Sequence, residues 1–122
     1  MTEDELKKRT KQFVLRVIKL VNSLQKTQTA KVLGNQLLRS GTSVGANYRA
    51  ACLARSQADF ISKLGIVLEE SDESLYWMEL LVESDLVKPA LMKNIIQEAT
   101  ELTKIFIASL ITSKRNNVKS KI

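Results

Sequence analysis

The 122-residue chain contains no histidine. That removes the commonest general base and metal ligand, and with it any Ser-His-Asp or Cys-His site. The Glu-x-x-His pairs of di-iron bundles cannot be built either. There is one cysteine, Cys52, so no intrachain disulfide can form, and the chain suits a reducing cytoplasm. Cys52 falls on an apolar stripe and reads as a structural thiol rather than a nucleophile. Aromatic residues make up only 5%, and Phe13 and Tyr48 sit on apolar stripes, which leaves little for stacking on nucleic-acid bases. No apolar run approaches the roughly 18 residues of a membrane span. The acidic start, Met1-Thr-Glu-Asp-Glu5, lacks the basic region of a signal peptide. One proline and four glycines in a chain that is 44% apolar favour a helix-rich globular domain.

Catalysis finds no foothold in what remains. Gly41-Thr-Ser-Val-Gly45 lacks the lysine of a phosphate loop. Glu69, Glu70 and Glu73 are the acids spaced for a carboxylate-only metal site, but a solvated acidic face is the plainer explanation. We expect no enzyme, no metal site and no cofactor.

Charge is what the chain has in excess. Its net charge of +6 is unevenly spread. Residues 6–63 hold twelve Lys/Arg against one acid, Asp59. Residues 64–101 hold nine acids against Lys88 and Lys93, and from 102 onward there are five bases and no acid. Such segregation bears on partners and association rather than on fold.

The organising stretch is Gln36-Leu-Leu-Arg-Ser-Gly-Thr-Ser-Val-Gly-Ala-Asn-Tyr-Arg49. Its small residues suggest a loop, but a step of about 100° per residue places Ala30, Leu33, Leu37, Val44, Tyr48, Ala51 and Cys52 on one side without a slip. We therefore expect one unbroken helix here. Two helical glycines cost roughly 1 kcal/mol each against alanine. Gly41 and Gly45, spaced i,i+4, would offset this by admitting a close neighbour. Beside them lies an uncharged polar stripe, Gln36, Ser40, Ser43 and Asn47. It is either a solvated edge or a set of hydrogen bonds across a helix or subunit interface. Ser40, Gly41, Gly45, Asn47 and Tyr48 are thus candidates for helix packing or an oligomer interface.

Four helices follow from the periodicity, at about 3–25, 29–55, 57–84 and 89–113, with 114–122 as a basic, disordered tail. Thr2 with Glu5, and Ser56 with Asp59, read as capping boxes. Thr27 or Thr29 caps the second helix, and Pro89 opens the fourth. Leu6, Thr10, Phe13, Val17, Leu20 and Leu24 form a seam on the first helix, and Leu91, Ile95, Ala99, Leu102, Phe106 and Leu110 one on the fourth. Short links predict an all-α, antiparallel up-down-up-down four-helix bundle spanning residues 1–113. Lys7, Lys8, Lys11, Lys19, Arg39, Arg49 and Arg55 are candidate phosphate contacts, with Arg39 turned away from the apolar side and free for a partner. Basic helices meeting an acidic third helix of another copy would be a heterologous contact, which closes into rings or runs into filaments.

The central motif, with Ala54-Arg-Ser-Gln-Ala-Asp-Phe-Ile-Ser-Lys-Leu64 and Tyr76-Trp-Met-Glu-Leu-Leu81, resembles the bacterial four-helix bundle proteins encoded in intervening sequences of 23S ribosomal RNA genes. The likeness covers about residues 5–113, and Ala50 and Glu69 depart from it. Relatives include accessory proteins of diversity-generating retroelements, which form pentameric rings and bind nucleic acid and a reverse transcriptase. The resemblance implies a homopentameric ring and picks out Arg39, Ser40, Asn47, Arg49 and Asp59. Together these observations lead us to expect a cytoplasmic, self-assembling module that binds RNA or nucleoprotein. A structural oligomer or adaptor without nucleic-acid affinity is the alternative.

Overall fold

Three of the four helices begin where a side chain accepts from one of the first unpaired amides, and the fourth begins at Pro89, which has no amide N–H to satisfy. The computed structural model describes residues 1–120. Its elements are α1 (Glu3–Asn22), α2 (Gln28–Cys52), α3 (Gln57–Glu83) and α4 (Pro89–Ser120). Thr2 Oγ1 accepts from the Glu5 amide at 3.1 Å while Glu5 Oε2 accepts from the Thr2 amide, the reciprocal box expected at α1. Thr27 caps α2 by accepting from the Ala30 amide at 3.2 Å. Ser56 caps α3, but only half a box forms. Its Oγ accepts from the Asp59 amide, while the Asp59 carboxylate turns to Lys63 Nζ at 2.7 Å.

Helix ends depart from the expected boundaries for local reasons. α1 stops at Asn22, because the Ser23 amide and hydroxyl both close back on the Leu20 carbonyl. α2 stops at Cys52 rather than 55, since the Ser56 cap requires extended backbone at φ −153° just beyond. α3 ends at Glu83 in a Schellman turn. The Leu86 amide reaches the Leu81 carbonyl and the Asp85 amide reaches that of Val82, both at 3.0 Å, with Asp85 at φ 63°.

The largest correction is at the end of α4. Helix continues through 114–120 where a disordered tail was expected; Lys121 and Ile122 lie outside the described residues. The seam still reaches Ser113, which is buried and whose carbonyl accepts from Gln57 Nε2 at 3.2 Å. No Gly or Pro follows, and the terminal cations suit the negative end of the helix dipole. At the other end Leu91 is 73% exposed and Met92 takes its place in the core. With the helix starting at Pro89, the buried register is Met92, Ile95, Ala99, Leu102 and Phe106.

The described residues are all-α and pack as a bundle around one core. Each helix touches its chain neighbours, and α1 also touches α4. Phe13, Val17, Leu37, Val44, Leu64, Met78 and Phe106 are fully buried. The core also carries hydroxyls in pairs: Ser40 Oγ accepts from Ser74 Oγ at 3.0 Å, and Ser71 and Thr103 share a bond of 2.6 Å. Among the described residues no helix is long and apolar enough to cross a membrane.

Candidate nucleic-acid interface

α2 runs unbroken through Gly41 and Gly45, as its phase requires. The close neighbour is α1 of the same chain. A Cβ at Gly41 would lie 2.8 Å from Val17 Cγ1, and one at Gly45 would lie 2.8 Å from Val14 Cγ2. Ser40 is fully buried against α3, and Tyr48 packs its ring 6.1 Å from that of Phe106. Asn47 donates to the Ser43 carbonyl at 2.9 Å, one turn back on its own helix. Of the five candidate interface residues, Ser40, Gly41, Gly45 and Tyr48 thus pack helix on helix inside the chain. Asn47 bonds locally.

The small residues leave a groove on the outer side of the α1–α2 contact. It has a volume of about 580 Å³ and is lined by Lys7, Lys8, Lys11 and Val14 of α1 and by Thr42, Gly45, Ala46 and Arg49 of α2. Four of the seven candidate phosphate contacts therefore converge. Lys7 has an ion pair with Asp4 at 3.4 Å, and Asp4 is itself almost wholly exposed. Lys8, Lys11 and Arg49 have no carboxylate within 4.0 Å among the described residues. Lys19 and Arg55 are exposed but do not line the groove.

Arg39 is not free for a partner. Its Nη1 donates to Glu70 Oε2 at 3.2 Å and its Nη2 to Glu73, both on α3, while its Nε reaches Gln36 Oε1 at 3.4 Å. The Glu73 hydrogen bond, then the nearby carboxylate charges, hold its pKa above the ordinary arginine value. Glu70 and Glu73, two of the acids weighed for a metal site, are the acceptors of this clamp. Arg9 makes a second clamp that the sequence did not disclose. Its fork takes Glu98 at 2.8 and 2.6 Å and reaches Glu101 at 2.6 Å, tying α1 to α4. Hydrogen bonding to Glu98 is the main cause of its raised pKa. Both clamps hold glutamates spaced i,i+3 on one helix face, a pattern visible in the sequence only once the partner arginine is known.

Residues 2–108 match the family described as the 23S rRNA-intervening sequence protein. The chain belongs to this family. It is also similar to a crystal structure from Bacteroides thetaiotaomicron, described as a protein with unknown function from the S23 ribosomal protein family. Sequence identity is 38%, the likeness covers 90% of this chain and 98% of that one, and the TM-score is 0.84. Among curated proteins none matches. Within this intervening-sequence family member the groove, both arginine clamps and the Ser40–Ser74 pair all lie inside the matched residues. The end of α4, including Ser113, lies outside them.

Asp59, which the resemblance picked out, sits in the first turn of α3, and its pairing with Lys63 holds its pKa below the usual carboxylate value. Cys52 is half-buried at the end of α2. Burial, then a hydrogen bond with Glu3, pushes its thiol up to about 11. Such a thiol is a poor nucleophile at neutral pH.

Proposed function

We propose that the chain is a non-catalytic, self-assembling four-helix bundle of the cytoplasm that binds RNA or a nucleoprotein on the basic side of α1 and α2. The observation that carries this is the convergence of Lys7, Lys8, Lys11 and Arg49 on one groove, three of them without an acid partner. The two arginine clamps support it by contrast. They commit Arg9 and Arg39 to four glutamates, while Lys8, Lys11 and Arg49 of the groove have no carboxylate within 4.0 Å among the described residues. We take the helices to run up-down-up-down. Contacts in reversed order support this: Leu24 and Val21 lie by Gly34, Val17 by Gly41 and Val14 by Gly45.

Assembly would be heterologous and ring-forming, five-fold by resemblance. The clamps withdraw Glu70 and Glu73 from any such contact, leaving Glu69, Asp72, Glu79 and Glu83 of α3 to meet a neighbouring copy. A scaffold without RNA affinity is the second reading. It is favoured by Ile107, Ile111 and Val118, exposed and on one stripe of α4 as a protein-binding face would be.

Fluorescence anisotropy with a structured RNA hairpin separates the two. Neutralising about four phosphates gives a salt slope near −3.6, so raising salt roughly six-fold should weaken binding about 10²–10³-fold. RNA affinity that is absent at low salt would reject the proposal in favour of the scaffold.

A further inference from the structure

The groove between α1 and α2 is narrower in its demands than a basic surface. We infer that it takes the sugar–phosphate backbone of one extended RNA strand, without regard to base sequence, with the strand seated against Gly45 and Ala46. This rests on the RNA-binding reading above and assigns its site and ligand class.

Positive charge comes from both walls. Lys7 and Lys11 stand one turn apart on α1, about 6 Å by helical rise, on the order of the spacing between neighbouring phosphates of one strand. Arg49 faces them from α2 and brings a planar fork suited to a phosphate. The α2 wall carries only Thr42, Gly45 and Ala46 before Arg49, so the space between the cations stays open. Its depth is set by the tight contact of Gly45 with Val14. A slot between two closely packed helices, with cations one turn apart, matches the edge of a single strand. A duplex would rest on the rim and meet the outer lysines only.

The lining also says what is not read. No aromatic side chain lines the groove; Phe13 and Tyr48 are both buried in the core. Stacking therefore has no platform. No carboxylate or amide side chain lines it either, and the one hydroxyl, that of Thr42, donates its proton to the Leu38 carbonyl at 2.7 Å on its own helix. What remains is charge and shape, which is backbone recognition.

The test uses the full chain with three fluorescein-labelled probes: a 12-nucleotide oligo-U, a 12-nucleotide oligo-A and a 12-base-pair RNA duplex. Ala46→Leu fills the groove at an exposed helical position without changing charge. It should weaken oligo-U binding roughly ten-fold or more at an unchanged melting temperature. Lys11→Ala should lower the salt slope by about 0.7, the single-strand value for one phosphate. Arg49→Gln removes charge from the other wall and gives the same direction should Ala46→Leu perturb folding. Oligo-U and oligo-A should bind within about three-fold of each other, and the duplex more weakly. Silence of Ala46→Leu and Arg49→Gln, together with losses at Lys19→Ala or Arg55→Ala, would overturn the groove as the site and leave RNA binding standing. A strong preference for one oligonucleotide, or tighter binding of the duplex, would overturn the single-strand backbone as the ligand. Absence of salt-sensitive binding to all three would overturn the RNA-binding reading and this inference together.

Discussion

Gly41→Ala is the substitution on which local propensity and packing disagree most. On an isolated helix it should stabilise by up to about 1 kcal/mol. In this bundle the new methyl would meet Val17 Cγ1 at 2.8 Å, Cγ2 at 3.1 Å and Cβ at 3.3 Å. Val17 cannot swing away. It is fully buried, and a β-branched side chain on a helix is nearly confined to one rotamer. Overpacking of this kind costs about 1–3 kcal/mol, so we expect a net loss of about 1 kcal/mol, near 4 °C in melting temperature for a domain of this size. Gly65→Ala is the internal control. Nothing lies within 4 Å of its Cβ position, so it should gain up to about 1 kcal/mol. Gly34→Ala should fall between them, because its neighbour at 2.9 Å is the far end of Leu24. Val17→Ala alone should cost roughly 2–3 kcal/mol, but in the Gly41→Ala background it should cost about 1 kcal/mol less, since the clash is relieved. Urea unfolding of the five variants measures all of this. A Gly41→Ala protein as stabilised as Gly65→Ala, or strict additivity with Val17→Ala, would refute close α1–α2 packing as the reason for the glycine.

Other expectations are narrower. Arg9→Met should cost about 1 kcal/mol after screening is allowed for, and Glu98→Gln in that background should restore part of it, as a double-mutant cycle by denaturant unfolding will show. Asp85→Gly should stabilise by up to about 1 kcal/mol, because glycine holds φ 63° without strain; a loss of stability would mean that the Asp85 side chain matters to the turn. At pH 8 Cys52 should react with a disulfide reagent about 100-fold more slowly than in the unfolded chain, from a thiol raised from 9.0 to about 11. The folded state holds that proton more tightly. The associated stability is therefore intact below about pH 9 and declines toward about 11, which alkaline unfolding of wild type against Cys52→Ala will detect.

The sequence disclosed what repeats at short range. The helix through Gly41 and Gly45 was legible because a loop would have broken the phase of Leu37, Val44 and Tyr48. The Thr2–Glu5 box was legible because both partners lie within one turn. The Leu91–Met92 error is a one-residue slip at a helix start, where few turns exist to fix the register. Asp85 escaped notice because a non-glycine left-handed cap has no strong signature. The arginine clamps were illegible for a different reason. Arg9 and Glu101 are 92 residues apart, and charge counts assign acid and base to segments without saying which pairs meet. Counting therefore recovered the groove lysines but wrongly left Arg39 free.

Self-assembly of the bundle and RNA binding on its basic side are both read by light-scattering mass at low and high salt, with and without a structured RNA. An assembly of about five chains should gain the mass of RNA at low salt and lose it at high salt. A monomer under every condition, or an assembly whose mass never responds to RNA, would contradict it.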